Sequence, residues 1–195
     1  MKKIIVLLLA FWGISQARAQ LQTWTNDPEH TRIGFEIGHA GLSLVSGRFT
    51  DFDIHVVADE KHIEQTKLSV KVSTASINTG VAPRDKHLRS ADFFNVEKYP
   101  YMLFEGVRAK KVNSHRGKLY GNLTIHGVTR PVVLDVELIG KRISPVSHKY
   151  TAGFRLRGTL KRSDFNLGPK YLPDMIANEV KILVDAEFAS GSAQK

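Results

Sequence analysis

The fold class of this 195-residue chain is decided by LYGNLTIHGVTRPVVLDVEL, residues 119–138. Apolar or small side chains alternate with polar ones over residues 119–125, and the alternation resumes over residues 132–138. A period of two is typical of a strand with one buried face, because successive side chains point to opposite sides of a sheet. Since the turn residues His126-Gly127-Val128-Thr129 separate the two runs, the segment predicts an antiparallel β-hairpin.

The same period of two recurs on both sides of this hairpin. It is found in segments that begin near Ile33, Leu68, Met102, Phe154 and Val180. Together the segments give about eight strands at hairpin spacing, which predicts an all-β domain built as an antiparallel sandwich or barrel.

One long segment changes its parity. Residues 45–49 carry apolar or small side chains at odd positions, whereas residues 52–56 carry apolar ones at even positions. The shift predicts a β-bulge near Thr50-Asp51, a device that lets a strand bend around a barrel.

Residues 82–96 interrupt the alternation and predict a short helical connection lying across the barrel. The region contains Pro83, a run of charged residues and two adjacent phenylalanines. Ser90 is expected to cap a helical turn over residues 91–94, with Asp92 near the positive end of that turn.

The first residues predict export. Residues 1–19 combine two lysines, an apolar run over residues 4–14 and a small-x-small site at Ala17-Arg18-Ala19, as in a cleaved signal peptide. The apolar run is shorter than the roughly 20 residues that span a bilayer. We therefore expect a soluble periplasmic protein whose single domain is residues 20–195. The chain has no cysteine, which excludes disulfides, a thiol nucleophile and thiolate metal ligands.

The charge balance is basic, with 28 Lys and Arg against 19 Asp and Glu. In the sequence these charges are dispersed, and the only clusters are short, such as Lys110-Lys111 and Lys161-Arg162. Nucleic-acid binding requires a concentrated basic stripe with an element that reads bases, so no nucleic-acid partner is expected. A solvated surface accounts for dispersed charge, and transient contact with anionic lipid headgroups stays open.

Several short motifs follow one another from Trp24 to about Phe188. They are Trp24, Asp27 and His30; Phe35-x-x-x-His39; Gly41-x-Ser43-x-Val45-x-Gly47-x-Phe49; Ser76-Ile77-x-Thr79-Gly80; Arg84-Asp85-x-His87-Leu88; Asp92-Phe93-Phe94; Tyr99-Pro100; Gly121-x-Leu123-Thr124-x-x-Gly127-Val128-Thr129-x-Pro131-Val132; and Arg162-Ser163-Asp164-Phe165-x-Leu167-Gly168. In this order and spacing they resemble the YceI-like family of exported, lipocalin-like barrels. Asn166 departs from the family pattern, which commonly has Gly or another small residue there.

The resemblance implies one antiparallel lipocalin-like β-barrel around a long hydrophobic cavity that binds an isoprenoid lipid, quinone-like or a prenyl phosphate, or another amphiphile. It implies no cofactor and no enzymatic activity. Periodicity alone leaves a filled core and a ligand cavity equally open, because inward apolar residues fit both. The ligand-binding residues expected from the alternation and the resemblance together are Phe35, Ile37, Val45, Phe49, Val70, Val72, Arg84, His87, Phe93, Phe94, Met102, Phe104, Leu123, Ile125, Leu134, Phe154, Leu156 and Phe165.

Arg84, Asp85 and His87 allow two interpretations. They could fix the connection to the barrel by structural hydrogen bonds, or Arg84 and His87 could meet a polar or phosphate headgroup at the end of the barrel. An enzyme acting on a prenyl or related lipid through these three residues is the alternative function. No nucleophile motif of the G-x-S-x-G type accompanies them.

Two further expectations concern metals and oligomers. The eight histidines show neither H-E-x-x-H nor H-x-H spacing, so no metal site is expected. Arg162-Ser163-Asp164 is typical of a turn held by local side-chain hydrogen bonds. An edge strand left exposed by an incompletely closed barrel would pair with a second copy, giving a homodimer.

Overall fold

The computed structural model describes residues 21–191. Ten strands and one α-helix follow in chain order: β1 Gln22–His39, β2 Ser43–Phe49, β3 Phe52–Ala58, β4 Lys67–Ser73, β5 Ile77–Asn78, α1 Ala82–Arg89, β6 Tyr101–Lys111, β7 Arg116–Ile125, β8 Val128–Ile143, β9 Tyr150–Lys161 and β10 Ile176–Ser190. The signal peptide predicted over residues 1–19 lies outside the described residues. Within residues 21–191, none of the helices has the length and apolar character needed to cross a membrane.

The barrel closes because the last strand pairs with the first. Antiparallel neighbours run in order from β6 to β10, and β10 then pairs with β1. β2 and β3 pair with successive parts of β1, and β4 and β5 share the next place, so the ten strands fill eight places around the barrel. The predicted all-β, antiparallel barrel of about eight strands is confirmed.

The change of parity marks a real break between two strands. Phe49 ends β2 and pairs with Ile33 of β1, while Phe52 begins β3 and pairs with Val72 of β4. Because two residues intervene, Phe49 and Ile54 both line the barrel interior despite their opposite parity. The predicted position at Thr50-Asp51 is right, but the feature is a break between two strands and not a β-bulge within one strand.

The central hairpin forms as its sequence predicts. β7 and β8 pair from Ile125 and Val128 at the turn to Arg116 and Glu137 at the far end. The two linking residues, His126-Gly127, have φ angles of 52° and 75°. Left-handed backbone at both positions suits the twist of a two-residue hairpin turn, and glycine adopts it without steric cost.

The strand pairings define two ends of the barrel. The hairpin end is formed by the connections at residues 59–66, 112–115 and 144–149. The helix end, which includes α1, is formed by the connections at residues 40–42, 79–100, 126–127 and 162–175.

The predicted helical connection exists, but its helix lies earlier in the chain than the expected turn. α1 runs over Ala82–Arg89, with Pro83 in its first turn, where a missing backbone N–H costs no hydrogen bond. Ser90 follows this helix rather than preceding one: its hydroxyl donates to the His87 carbonyl at 2.8 Å and accepts from the Asp92 N–H at 3.3 Å. Residues 91–94 form turns, so the prediction that Ser90 caps a helix there is wrong.

Candidate functional site

The barrel encloses a cavity of about 730 Å³. Its middle is lined by apolar side chains from strands all around the wall, with Phe104, Leu119 and Leu134 as the buried centre. Leu156 of β9 and Ile182 of β10 continue this belt along the next two strands. Periodicity left open whether side chains fill the barrel interior or surround a cavity. The structure has a cavity, and the volume of this cavity lies in the range of small-molecule sites.

Seventeen of the eighteen expected ligand-binding residues line this cavity. They are Phe35, Ile37, Val45, Phe49, Val70, Val72, Arg84, His87, Phe93, Phe94, Met102, Phe104, Leu123, Ile125, Leu134, Phe154 and Leu156. Phe165 does not line it. Only 1% of Phe165 is exposed, because this residue packs behind the cavity wall with Ile125 and Leu167.

The sequence prediction missed more apolar lining residues than it named. They include Trp24, Ile33, Ile54, Val56, Leu68, Leu119, Val132, Val136, Leu138, Leu160, Ile182, Val184 and Phe188. The same alternation within strands marks most of them, so the signal was present in the sequence.

Aromatic side chains fill the cavity at the helix end. The Phe49 ring lies 6.0 Å from that of Phe35 and meets Phe94 edge-on at 5.7 Å. Phe93 instead stacks on Tyr171 at 5.1 Å and presents its ring to Gly168, where φ is +61°. A Cβ at Gly168 would approach the Phe93 ring to 2.5 Å, so glycine is required for this packing.

Arg84 and Asp85 are engaged with the backbone beside them. The Asp85 carboxylate, in a residue only 7% exposed, accepts hydrogen bonds from the Thr79 N–H at 2.9 Å and the Thr79 hydroxyl at 2.6 Å. Arg84 donates to the same hydroxyl at 2.7 Å and to the Thr79 carbonyl at 3.0 Å. These bonds fasten the start of α1 to Thr79, the residue that directly follows β5, in agreement with the structural interpretation of this pair.

His87 bonds to a different connection. Its Nε2 lies 2.9 Å from the Tyr171 hydroxyl and 3.4 Å from an Asp92 carboxylate oxygen. Lys170 donates to the other Asp92 oxygen at 2.8 Å, and the bonds from Lys170 and His87 together lower the pKa of Asp92. His87 therefore ties α1 to the connection between β9 and β10, and its acidic partner is Asp92 rather than Asp85.

Among the described residues, Arg162 forms the largest set of side-chain hydrogen bonds at the helix end. Only 5% of the residue is exposed, and its guanidinium donates to five backbone carbonyls. The acceptors are Leu167 (3.0 Å), Gly168 (2.7 Å), Tyr171, Ile176 (3.0 Å) and Ala177 (3.1 Å). Its bonds reach well beyond the local turn expected from the sequence, so one side chain shapes the whole connection.

Asn166 fits the turn in which the sequence departs from the family pattern. Its φ angle is 54°, in the left-handed region, and its N–H donates to the Ser163 carbonyl at 3.2 Å. Asn tolerates this conformation better than other residues with a Cβ, which explains how it replaces a glycine.

At the hairpin end an apolar cluster around Trp24, Ala152 and Phe188 packs across the interior, and few polar side-chain contacts accompany it among residues 21–191. Glu60, which follows β3, forms an ion pair with Lys141 of β8 on the opposite side of the barrel. The Tyr150 hydroxyl donates to the same carboxylate at 3.4 Å. Beside this bridge the cavity lining reaches exposed residues of the β6–β7 hairpin, among them Lys110 and His115.

One group of side chains outside the cavity has metal-ligand spacing, which the sequence prediction did not identify. Ligand atoms of Asp27, His30 and Glu187 lie within 4.8 Å of one another on the barrel surface. His30 Nδ1 and an Asp27 oxygen are 2.9 Å apart, and this bond raises the pKa of His30 and lowers that of Asp27. A surface ion pair accounts for the geometry.

Comparison with known proteins gives consistent matches. The model of the YceI-like domain matches residues 24–188. A UPF0312 protein of Pectobacterium carotovorum is 38% identical over 190 residues, covering 96% of this chain and 97% of its own. The crystal structure of the Campylobacter jejuni YCEI protein is 35% identical, with a TM-score of 0.72 over 86% of this chain and 97% of that one. A polyisoprenoid binding domain from Saccharophagus degradans has a TM-score of 0.61 at 16% identity, covering 87% and 99%.

Proposed function

This chain belongs to the YceI-like family, and on that premise we propose that it is a periplasmic binding protein that carries a long isoprenoid lipid, quinone-like or a prenyl phosphate, inside its barrel. The lipid would be held by burial of its chain and would undergo no reaction.

The observation that supports this proposal most directly is the apolar cavity at the centre of the barrel. Side chains such as Phe104, Leu134 and Leu156 leave a space of about 730 Å³ along the barrel axis. Moving ligand carbon from water into such a space gains about 25 cal/mol for each Å² buried. A long apolar chain therefore binds without a metal or an organic cofactor, and we propose that none is needed.

The comparisons support the chemical class of the ligand. The Saccharophagus degradans protein with the same fold is described as a polyisoprenoid binding domain. At 16% identity the likeness itself concerns the fold, so an isoprenoid ligand for this chain is part of the proposal.

Location and assembly belong to the proposal as well. Export through a cleaved signal peptide at residues 1–19 would place the barrel in the periplasm, and fractionation of cells with an antibody would test it. A homodimer through an exposed sheet edge stays a prediction: β10 pairs with β1, but residues 43–47 of β2 pair with β1 on one side only.

Among residues 21–191, the contacts of Arg84, Asp85 and His87 do not favour the enzymatic alternative. Asp85 and Arg84 bond to Thr79, while His87 bonds to Tyr171 and Asp92, so the three residues do not form one catalytic group. In the binding interpretation Arg84 and His87 meet the lipid only where the cavity reaches the helix end.

The test is extraction of bound lipid from purified protein, followed by mass spectrometry. We expect a prenyl lipid in organic extracts of the wild-type chain, and at least about tenfold less in a Leu156→Trp variant, since an indole in the middle belt would occupy the path of the chain. Arg155→Trp is the matched control, because Arg155 points outward from the same strand and pairs with Asp185 at 2.9 Å. Protein that is repeatedly empty and also rejects added quinones and prenyl phosphates would contradict the proposal.

A further inference from the structure

Two neighbouring hairpins concentrate positive charge at the hairpin end. Residues 106–118 and 139–151, referred to below as the basic hairpins, contain eight Lys or Arg and no Asp or Glu. The pairing of β7 with β8 places the two hairpins side by side, and the Leu138 N–H donates to the His115 carbonyl at 2.7 Å where they meet. Charges that are dispersed along the sequence are therefore gathered in space.

Most of this charge is not neutralised. Lys118 pairs with Asp135 at 2.6 Å and Lys141 pairs with Glu60. The other basic side chains have no carboxylate within 4.0 Å among residues 21–191: Arg108, Lys110, Lys111, Arg116, Arg142 and Lys149. Side chains of one sign at such density repel each other, so they favour an anionic partner.

The helix end has a different balance. Its two longest connections, residues 79–100 and 162–175, carry six basic and five acidic residues. The connection at residues 59–66, also at the hairpin end, carries three acidic residues and one basic residue, so the excess of positive charge belongs to the basic hairpins and not to the whole end.

Exposed apolar side chains accompany the cations. Val146 is 87% exposed in the β8–β9 tip, Val112 is 59% exposed in the β6–β7 tip, and Ile143 is 54% exposed where β8 ends. Branched aliphatic side chains beside Lys and Arg suit the boundary of a bilayer, where the former enter the acyl region and the latter contact headgroup phosphates. Exposed valines do not favour nucleic-acid binding, because bases stack on aromatic rings and not on aliphatic side chains.

We propose that the basic hairpins dock the barrel onto an anionic lipid bilayer, with the hairpin end of the cavity facing the membrane. The proposal rests on the proposed function, since a lipid carrier must exchange its ligand with a membrane. The cavity lining at Lys110, His115 and Lys141 places the docking surface and the cavity at the same end.

Sedimentation with lipid vesicles tests the docking surface. The chain from Gln20 onward is used, because the apolar residues 4–14 would bind a bilayer by themselves. We expect binding to vesicles of phosphatidylglycerol and phosphatidylcholine in equal parts, and at least about tenfold weaker binding to phosphatidylcholine alone.

Two variants of the basic hairpins carry the prediction. Replacing Lys111, Arg142 and Lys149 by Gln should weaken binding to anionic vesicles at least about tenfold. Replacing Val112 and Val146 by Ser should weaken it about threefold, because less apolar surface enters the bilayer.

Matched controls alter the helix end by the same chemistry. One carries Gln at Lys86, Arg130 and Lys161, and the other carries Ser at Leu42 and Leu172, which are 88% and 67% exposed. Both should bind anionic vesicles within about twofold of wild type. Loss of binding in these controls instead, unchanged binding in the hairpin variants, or a preference for duplex DNA over vesicles would overturn the proposal.

Lipid extraction separates this proposal from the previous one. A protein that yields a prenyl lipid but ignores anionic vesicles contradicts docking alone. A protein that binds the vesicles but never holds a prenyl lipid contradicts the carrier function alone.

Discussion

The two ends of the barrel are built differently. At the helix end, Arg162 collects five backbone carbonyls, Asp85 holds Thr79, and His87 joins α1 to Tyr171. At the hairpin end, the Glu60 carboxylate links opposite walls through Lys141 and Tyr150, and an apolar cluster around Trp24 and Phe188 packs beneath it.

The difference indicates that the two ends of the barrel have separate roles, one in stability and the other in ligand exchange. Loss of a hydrogen bond from a buried or half-buried side chain to the backbone lowers the free energy of unfolding substantially. The helix end is therefore expected to be the more stable end. An ion pair near the surface contributes little to folding, so the Glu60 bridge can break while the apolar cluster around Trp24 and Phe188 keeps the wall together. The comparison predicts that mutations at the helix end change mainly stability, whereas mutations at the hairpin end change mainly ligand exchange and membrane contact.

The largest expected effect is at Arg162. Arg162→Ala removes a buried cation and the guanidinium donor of five carbonyls, of which Gly168 keeps the Tyr171 N–H at 3.0 Å. Buried groups left unsatisfied cost about 1–3 kcal/mol each where water does not replace the partner. Since some of these carbonyls will gain water, we expect the free energy of unfolding to fall by about 3–5 kcal/mol. Urea denaturation followed by tryptophan fluorescence measures it.

Arg155→Ala is the control for that variant. Arg155 forms exposed ion pairs with Glu137 and Asp185 on the barrel surface, and such pairs contribute about 0–1 kcal/mol. Equal destabilisation by the two substitutions would show that the bonds of Arg162 do not hold the helix end.

The second effect concerns ligand release at the hairpin end. Glu60→Gln removes the charge that attracts Lys141 across the barrel, and we expect a bound dansylated farnesyl probe to leave about tenfold faster, which is about 1.4 kcal/mol in the barrier. The free energy of unfolding should change by less than about 1 kcal/mol. Stopped-flow fluorescence and urea denaturation of the same preparation give both values.

His87→Gln is the counterpart at the helix end. His87 also links two connections and also lines the cavity, so it tests whether any such link controls release. Faster release from His87→Gln than from Glu60→Gln would place the exit at the helix end and reverse the comparison.

Much of the barrel could be predicted because alternation is a local property of the chain. Residues 119–138 indicate a hairpin without reference to the rest of the chain, and the inward positions of each strand follow from their parity. The parity change around Thr50-Asp51 even located a bend. For this reason all but one of the expected cavity residues line the cavity, Phe165 being the exception.

The features that distinguish the two ends could not be predicted, because they join residues far apart in the sequence. Lys141 and Glu60 are 81 positions apart, and His87 and Tyr171 are 84 positions apart. The charge of the basic hairpins is scattered along the sequence and becomes concentrated only when β7 pairs with β8. In the sequence, Arg162-Ser163-Asp164 is typical of an ordinary turn. The carbonyls that Arg162 binds could not be predicted, because every residue has a backbone carbonyl and the sequence does not show which ones lie near a given side chain.

The third prediction concerns the hydroxyl of Tyr171. Tyr171→Phe keeps the stacking on Phe93 but removes the bond to His87 Nε2, and we expect the free energy of unfolding to fall by about 1 kcal/mol. Tyr101→Phe is the control, because that ring is 46% exposed and contacts Lys71 through its face rather than its hydroxyl. Urea denaturation of both variants decides whether this bond helps to stabilise the helix end, and equal values would contradict it.

The smallest effect is a dependence of the helix end on pH through His126. Burial, and then the nearby charge of Lys98, lower the pKa of His126 below its usual value of 6.5. Below that value the unfolded chain binds a proton that the folded chain resists, so stability falls as the pH drops from about 6.5 through the lower folded pKa. His126→Asn removes the titrating ring and keeps a residue that tolerates the φ of 52°. Comparison of urea denaturation at about pH 8 and about pH 5 should therefore show a smaller loss of stability in the variant than in the wild type. An equal loss in both would mean that His126 does not contribute to the acid sensitivity of the helix end.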